Sequence, residues 1–382
     1  MNKPIEYESR LTVRLSQLEK LDDVLTDWSS LCGHRTSIFL SETWIFPCLT
    51  IIKSDSEVFI LRFYANHDLL VGICFITKAD IKRRGVFRIR QFSLNEAETN
   101  GNKFIIEYNN ILHNPTYRDD VYFSFVDFIA NVNIKFDELR INATPSSLAM
   151  ILDMLCSKHR LKYIETEASR AYYTDLTVFQ LDPDKYLASL SRNKREQIRR
   201  SIKYYSKLGM PEIQYASSPH ERIRFFHALG ELHQKYWIAR GKPGSFSNEK
   251  WIDFHVRIIT EHPENVQLIR VSFGDHVLGY LYNLIDQNTA YSIQSGFNYS
   301  ENNNDRPGII AHFMVTNDYI KDSFVRYEYL AGESQYKQSL SNEQNEFSWC
   351  LIQKRSMKLG IENALLLLKR NLESIENVIR RR

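Results

Sequence analysis

The stretch from Val266 to Lys337 reads VQLIRVSFGDHVLGYLYNLIDQNTAYSIQSGFNYSENNNDRPGIIAHFMVTNDYIKDSFVRYEYLAGESQYK. It parses as strand, Gly-bend, strand, strand, polar loop, Pro-Gly, helix, strand, Gly-Glu and Tyr-Lys. A strand that leads through a loop into a helix opening on glycine is a place where proteins hold a pyrophosphate. The first-turn N–H groups of such a helix are unpaired, and its dipole favours negative charge there. The run can therefore hold a CoA-like or nucleotide-like ligand against a sheet.

A weaker copy of the opening lies about two hundred residues upstream, too far for a solenoid repeat. Val58 to Ile76 reads VFILRFYANHDLLVGICFI, against VQLIRVSFGDHVLGYLYNL from Val266 to Leu284. Both place an Arg fifth (Arg62, Arg270), turn on Asn, Asp or Gly, and carry one Gly in the second run (Gly72, Gly279). Glycine inside a strand marks a bulge or a close backbone approach. Two similar domains explain the likeness, and so does the commonness of hairpins.

At 382 residues the chain exceeds what one core accommodates, so two domains are expected, 1–168 and 169–382. Forty-nine basic and 46 acidic residues leave a net charge of +3, which argues against a dedicated nucleic-acid coat protein. The five cysteines are odd in number, far apart and not in C-x-x-C pairs, which suits reduced core thiols of a cytoplasmic protein. The amino-terminal residues lack the apolar run of a signal peptide, and no 18 consecutive apolar residues occur, so neither a leader nor a membrane span is expected. The eleven histidines form no H-E-x-x-H or H-x-H cluster, so no metal is expected.

Periodicity predicts strands over 5–13, 87–94, 103–112, 138–143, 161–167 and 172–181. It predicts helices over 15–32, 119–132 and 146–159. Asp182-Pro183 opens a helix expected to reach Leu208, within which RNKREQIRRSIKYYSK carries seven basic residues and one acidic. A further helix surrounds Phe225, Leu229, Leu232 and Tyr236. The last carries Ile361, Ala364, Leu365, Leu368, Leu372, Ile375 and Ile379 on one stripe and reads as a docking helix. Strands alternating with helices around an antiparallel meander give an α+β class, with a mixed sheet in each half.

Four stretches carry a family resemblance: LSRNKREQIRRS (190–201), LHQKYWIARGKPGSF (232–246), YSIQSGFN with RPGIIAH (291–312), and YEYLAGESQYKQSL (327–340). The chain resembles the GNAT acyltransferases, and more closely the CelD/BcsL-like acetyltransferases related to the Fem aminoacyltransferases. The likeness covers most of 170–345, and the first half matches in outline. It implies two tandem GNAT-like domains with mixed, mostly antiparallel sheets flanked by helices. The first would be degenerate, and the second would hold the donor. Acetyl-CoA or another acyl-CoA would be the co-substrate, and the acceptor an amine or hydroxyl on a small molecule, a saccharide or a cell-envelope precursor. The sequence departs from the family's Q/R-x-x-G-x-G/A loop, since Arg306-Pro307-Gly308-Ile309-Ile310-Ala311 has no second glycine and Asp305 precedes it. Fem relatives accept aminoacyl-tRNA, which the basic helix suits. Otherwise no nucleic-acid partner is expected. A non-catalytic module that holds an anionic polymer on helix 190–207 is the reading from another class.

Each candidate residue has a chemical role and a structural alternative. Arg306, Gly308 and Ile309 would hold the donor pyrophosphate, or merely start a helix. Gln294, Ser295 and Gly296 would offer donors to a developing oxyanion, or form an ordinary glycine bulge. Tyr336 would protonate the leaving group, with Lys337 and His312 as substitutes, or pack as an aromatic. His233 or Glu333 would be the general base, and Trp237 shares a helical face with His233. Trp237, Arg192, Arg195 and Lys337 would contact the acceptor, or be a packed ring and solvated cations. No nucleophile elbow or Cys–His signature is visible, so the acceptor would attack the donor carbonyl directly.

Overall fold

The computed structural model describes residues 11–365 apart from 84, 100, 101, 105 and 301–304. The expected strand at 5–13 lies mostly outside these residues, and so does the stripe from Leu368 to Ile379. Contacts divide the chain into two units: residues 1–35, 52–168 and 348–382, and residues 36–51 and 169–347. Segment 36–51 thus groups with the second unit and 348–382 with the first, unlike a single cut at 168/169.

The first unit begins with β1 (Thr12–Gln17), α1 (Leu21–Leu31) and the end of α2 (Glu42–Ile52). It continues with β2 (Glu57–Ala65), β3 (Leu69–Arg83), β4 (Phe87–Leu94), β5 (Ala97–Thr99), β6 (Asn102–Phe104) and β7 (Leu112–His113). Then come α3 (Arg118–Asn131), β8 (Glu138–Pro145), α4 (Ser146–Lys158) and β9 (Lys162–Asp175), a strand that runs through Ala168–Ser169 without a linker. The helix expected from Leu15 starts at Leu21, because Thr12 to Gln17 pair with β2 from Tyr64 to Phe59. The strand expected over 103–112 is reduced to β6 and β7.

In the second unit the charged helix is two helices. The chain breaks at Leu190 into α5 (Asp184–Ser189) and α6 (Arg192–Tyr205), and the Ser191 side chain accepts from the Lys194 N–H to restart it. There follow β10 (Pro211–Tyr215), α7 (Pro219–Ile238), α8 (Glu249–Glu261), β11 (Val266–Phe273), β12 (His276–Asp286), β13 (Thr289–Phe297), α9 (Pro307–Lys321), β14 (Arg326–Ala331), α10 (Gln335–Leu340) and β15 (Glu343–Gln353). Trp44 of α2 belongs here, edge-on to Phe254 at 4.8 Å.

The two units share one topology. In chain order, residues 12–145 and 211–331 each run strand, two helices, three antiparallel strands and a helix that crosses to a parallel strand, although most of α2 groups with the second unit. The strand pairs β1–β2–β3–β4 match β10–β11–β12–β13, and parallel β4–β8 matches parallel β13–β14. The repeat holds at the level of register. Gly72 pairs with Phe63 and Gly279 with Val271, and in both hairpins the register slips at the next residue. Both glycines therefore mark the same bulge. Phe63, Cys74, Phe92, Val121, Phe125 and Leu152 belong to the first unit's core. Ile198, Val271, Leu281, Ile310, Val315 and Tyr327 belong to the second's. Each such buried side chain contributes roughly 1.5–3 kcal/mol.

The units differ where their parallel strands part. In the first, β4 and β8 pair only from Gln91/Glu138 to Ser93/Arg140. Beyond that point Asn109 bridges them. Its Nδ2 donates to the Leu94 carbonyl at 2.9 Å, its backbone N–H donates to the Ala143 carbonyl at 3.2 Å, and its own carbonyl accepts from Thr144 Oγ1 at 2.9 Å. Asn95 braces the bridge, donating to Asn109 Oδ1 at 3.2 Å and the Asn110 carbonyl at 2.7 Å. In the second unit β13 and β14 pair only from Thr289/Arg326 to Tyr291/Glu328. Among the described residues, side chains rather than a backbone bridge line the gap there.

Candidate active site

Three elements of the second unit converge on that gap: the end of β13, the first turns of α9, and α10 just past β14. Asp305 is buried at the entrance to α9; one carboxylate oxygen accepts from Ser300 Oγ, and the other, Oδ1, has no partner among the described residues. Arg306 follows in the left-handed region at φ 47° and is exposed. Pro307 suits the first helical turn, where its missing N–H costs nothing. Gly308 is buried, and a Cβ on it would lie 2.9 Å from the Phe297 ring. Packing on Phe297 thus accounts for this glycine, and half-buried Ile309 packs against the same core.

A second cation reaches this helix start from α6. Lys194 is half-buried, and its Nζ donates to Gln197 Oε1 at 2.9 Å. Burial lowers its pKa, and the Arg306 charge lowers it further. Two cations this close favour an anion between them. The unpaired N–H groups of the first helical turn add to that preference.

Aromatic rings line the gap. Tyr336, half-buried on α10, stacks on His312 of α9 with centroids 5.3 Å apart and planes 20° apart. Tyr329 meets Tyr336 edge-on at 6.4 Å, and Phe297 meets His312 edge-on at 5.8 Å. Burial raises the Tyr336 pKa well above its ordinary value, so the phenol keeps its proton at neutral pH. Lys337 is committed to structure: its Nζ donates to the carbonyls of Leu330 at 3.2 Å and Ala331 at 2.6 Å. Leu330 is left-handed at φ 64°, and Gly332 has φ 112°, so the chain turns sharply where the lysine ties it. Glu333 is exposed beyond that turn, within reach of the Arg170 charge.

The expected oxyanion and base residues have other work. A Cβ on Gly296 would overlap the Leu229 carbonyl oxygen, so this glycine lets α7 lie on β13. His233 Nδ1 faces the Ser295 carbonyl at 3.3 Å, and Nε2 accepts the Ser245 N–H at 3.2 Å. Nδ1 must then carry the hydrogen, and no lone pair is left to take a proton from an acceptor. Burial holds the His233 pKa below its ordinary value, which keeps this neutral form. Gln294 accepts from the Ser295 N–H at 3.0 Å and donates to Ser245 Oγ at 3.3 Å. His233 and Gln294 therefore fasten the loop after α7. Trp237, half-buried, meets His233 at 6.0 Å and has Lys242 over its ring at 5.4 Å.

Of the basic pair on α6, Arg192 pairs with Glu196 in solvent at 3.1 Å, and Arg195 caps the Ala188 carbonyl at 3.0 Å. Sequence reasoning missed an aromatic rim at the mouth of the gap. Tyr299 lies 4.9 Å from Tyr236, over which Arg240 sits at 3.6 Å. Tyr236 reads as part of the apolar stripe of its helix and Tyr299 lies in a loop, so neither reads as facing a ligand. Among the described residues no group of three His, Cys, Asp or Glu is placed to hold a metal, and no helix is long and apolar enough to cross a membrane.

Residues 192–338 match the family described as "Acetyltransferase (GNAT) domain". None of the curated proteins matches the chain. Among solved structures it is similar to the C-terminal domain of an Agrobacterium fabrum protein assigned as a lysylphosphatidylglycerol synthetase, at 9% identity and TM-score 0.52, covering 92% of this chain and 96% of that one. FemX is similar at 9% identity and TM-score 0.54, covering 87% and 96%. A conserved Bacteroides thetaiotaomicron protein of unknown function is similar at 12% identity and TM-score 0.50, covering 86% and 97%. The fold is α+β and GNAT-like, and the acetyltransferase-domain match over residues 192–338 makes the chain an acyltransferase.

Proposed function

We propose that this acyltransferase takes an aminoacyl group from aminoacyl-tRNA and transfers it to an amine or hydroxyl of a cell-envelope precursor. Asp305 carries this reading. A pyrophosphate at the start of α9 would meet a buried carboxylate with an unpartnered oxygen. A ribose hydroxyl would donate to that oxygen instead. Lys194, Arg306 and the exposed arginines of α6 suit the adjacent phosphates of an RNA end. The fold shared with FemX fits the Fem resemblance of the sequence, and that resemblance implies this donor. The reaction would be cytoplasmic, where charged tRNA is found.

In this reading the donor site belongs to 169–382, and 1–168 is a degenerate copy sealed by Asn109. The acceptor attacks the ester carbonyl directly, and Tyr336 gives its proton to the departing ribose oxygen. Glu333 remains the base candidate, since both nitrogens of His233 are engaged.

The match to an acetyltransferase domain favours acetyl-CoA as a second reading. Thermal unfolding with each donor separates the two. A ligand at a hundred times its dissociation constant stabilises by about 2.7 kcal/mol. Protection by aminoacyl-tRNA and not by acetyl-CoA is expected, and the opposite result sinks the tRNA reading.

A further inference from the structure

His312 lies on the second turn of α9 and is 1% exposed. Its ring is enclosed by Phe297, Tyr329 and Tyr336, at 5.8, 5.6 and 5.3 Å between centroids. Nδ1 lies 2.9 Å from the Tyr327 hydroxyl. Nε2 is buried and has no hydrogen-bond partner among the described residues. Buried polar atoms are nearly always paired, so an orphan beside the gap between β13 and β14 calls for an explanation.

The surrounding network assigns the hydrogen. Ser292 and Asn283 both favour the charged form of the Tyr327 oxygen, as groups that donate toward it do, and the assignment that fits them sends the Tyr327 proton to His312 Nδ1. Burial, reinforced by the Lys337 charge, pushes the His312 pKa down to about 3, so the ring is neutral. A neutral imidazole whose Nδ1 accepts must carry its hydrogen on Nε2. The orphan atom is therefore a donor, and what it lacks is an acceptor.

We propose that the Nε2–H of His312 donates to the carbonyl oxygen of the acyl group being transferred. This rests on the acyltransferase reading but not on the identity of the donor, because an ester and a thioester both present that carbonyl. The acceptor nitrogen or oxygen attacks the carbonyl carbon, and the carbon–oxygen π pair moves onto the oxygen facing Nε2–H. No proton is transferred at that point. The intermediate collapses, the bond to the ribose oxygen or the sulfur breaks, and the leaving atom takes the Tyr336 proton. The acceptor's proton goes to solvent or to Glu333. The neutral ring acts as an electrophile, and its low pKa prevents it from becoming a competing acid. Gly296 and Gln294 are occupied in packing, so His312 takes the role the sequence assigned to them.

His312→Asn places an amide oxygen near the former Nδ1, keeps the acceptor for Tyr327 and removes the donor. It is expected to lower kcat about 10²–10³-fold, with donor KM changed less than about threefold. His312→Gln returns an amide N–H toward the former Nε2 position and should recover about tenfold of that loss. A wild-type kcat in His312→Asn overturns the proposal, as does a rate loss that tracks a fallen thermal midpoint in both variants. Imidazole ¹⁵N spectra of the wild-type protein give a readout that needs no variant to fold. They should show the Nε2–H tautomer at pH 7, and the Nδ1–H tautomer would equally overturn the assignment. Wild-type turnover of acetyl-CoA without aminoacyl-tRNA defeats the donor reading alone, since the same variants are then measured with acetyl-CoA.

Discussion

Gly296 lies so close beneath the Leu229 carbonyl oxygen that no Cβ fits between β13 and α7. The added carbon would also stand 3.1 Å from the His233 backbone nitrogen. Gly296→Ala must therefore push α7 away from the sheet. We expect a loss of about 1–3 kcal/mol of stability, measured by denaturant unfolding. A variant as stable as wild type would return Gly296 to the role of ligand-facing glycine.

Tyr336→Phe removes the phenolic proton and keeps the ring that stacks on His312. Turnover should fall about 10²–10⁴-fold with little change in donor affinity. Single-turnover kinetics separate the two quantities. Wild-type turnover would make Tyr336 a packing residue.

Lys194→Ala and Arg306→Asn should weaken donor binding about tenfold each while leaving kcat nearly unchanged. Asparagine is chosen because it tolerates the left-handed backbone of residue 306. Both losses should shrink as ionic strength rises, since the contacts are charge-assisted. Donor affinities unchanged in both variants would place the phosphates elsewhere.

Acid should destabilise the protein from about pH 6.5 downward. His255 and His312 are each 1% exposed, and burial pushes the pKa of each down to about 3. Their folded pKa lies below the unfolded value, so between those limits the unfolded chain binds the extra protons. Stability is complete above the unfolded pKa and falls as the pH drops through the window. Each group contributes up to about 1.4 kcal/mol per pH unit. His255→Phe should flatten the slope of unfolding free energy against pH between 6 and 4. An unchanged slope would mean that His255 is not buried neutral.

The repeated hairpin was legible because alternation and an internal glycine are local signals. Gly72 and Gly279 fall on the same bulge of the same strand. The roles of the glycines were not legible, because a sequence shows that a side chain is missing but not what fills the space. Gly296 abuts a helix carbonyl and Gly308 a phenyl ring, so both packing partners are non-local. His233 read as a base because its two hydrogen bonds, to residues 245 and 295, lie far along the chain. Leu15, Leu18, Leu21 and Leu25 have helical spacing, yet pairing with β2 claims the first of them. The Asn109 bridge escaped because its bonds run to residues 94, 143 and 144, which a local reading does not connect.

That bridge sets how natural variation in the first unit would show itself. Asn95, Asn109 and Thr144 satisfy buried groups that an open cleft would leave to a ligand. An inherited change at Asn109 leaves those groups unpaired, so it reaches the cell as a shortage of folded enzyme. We expect each surviving molecule to keep its catalytic rate, and raising expression or lowering the growth temperature to suppress the defect.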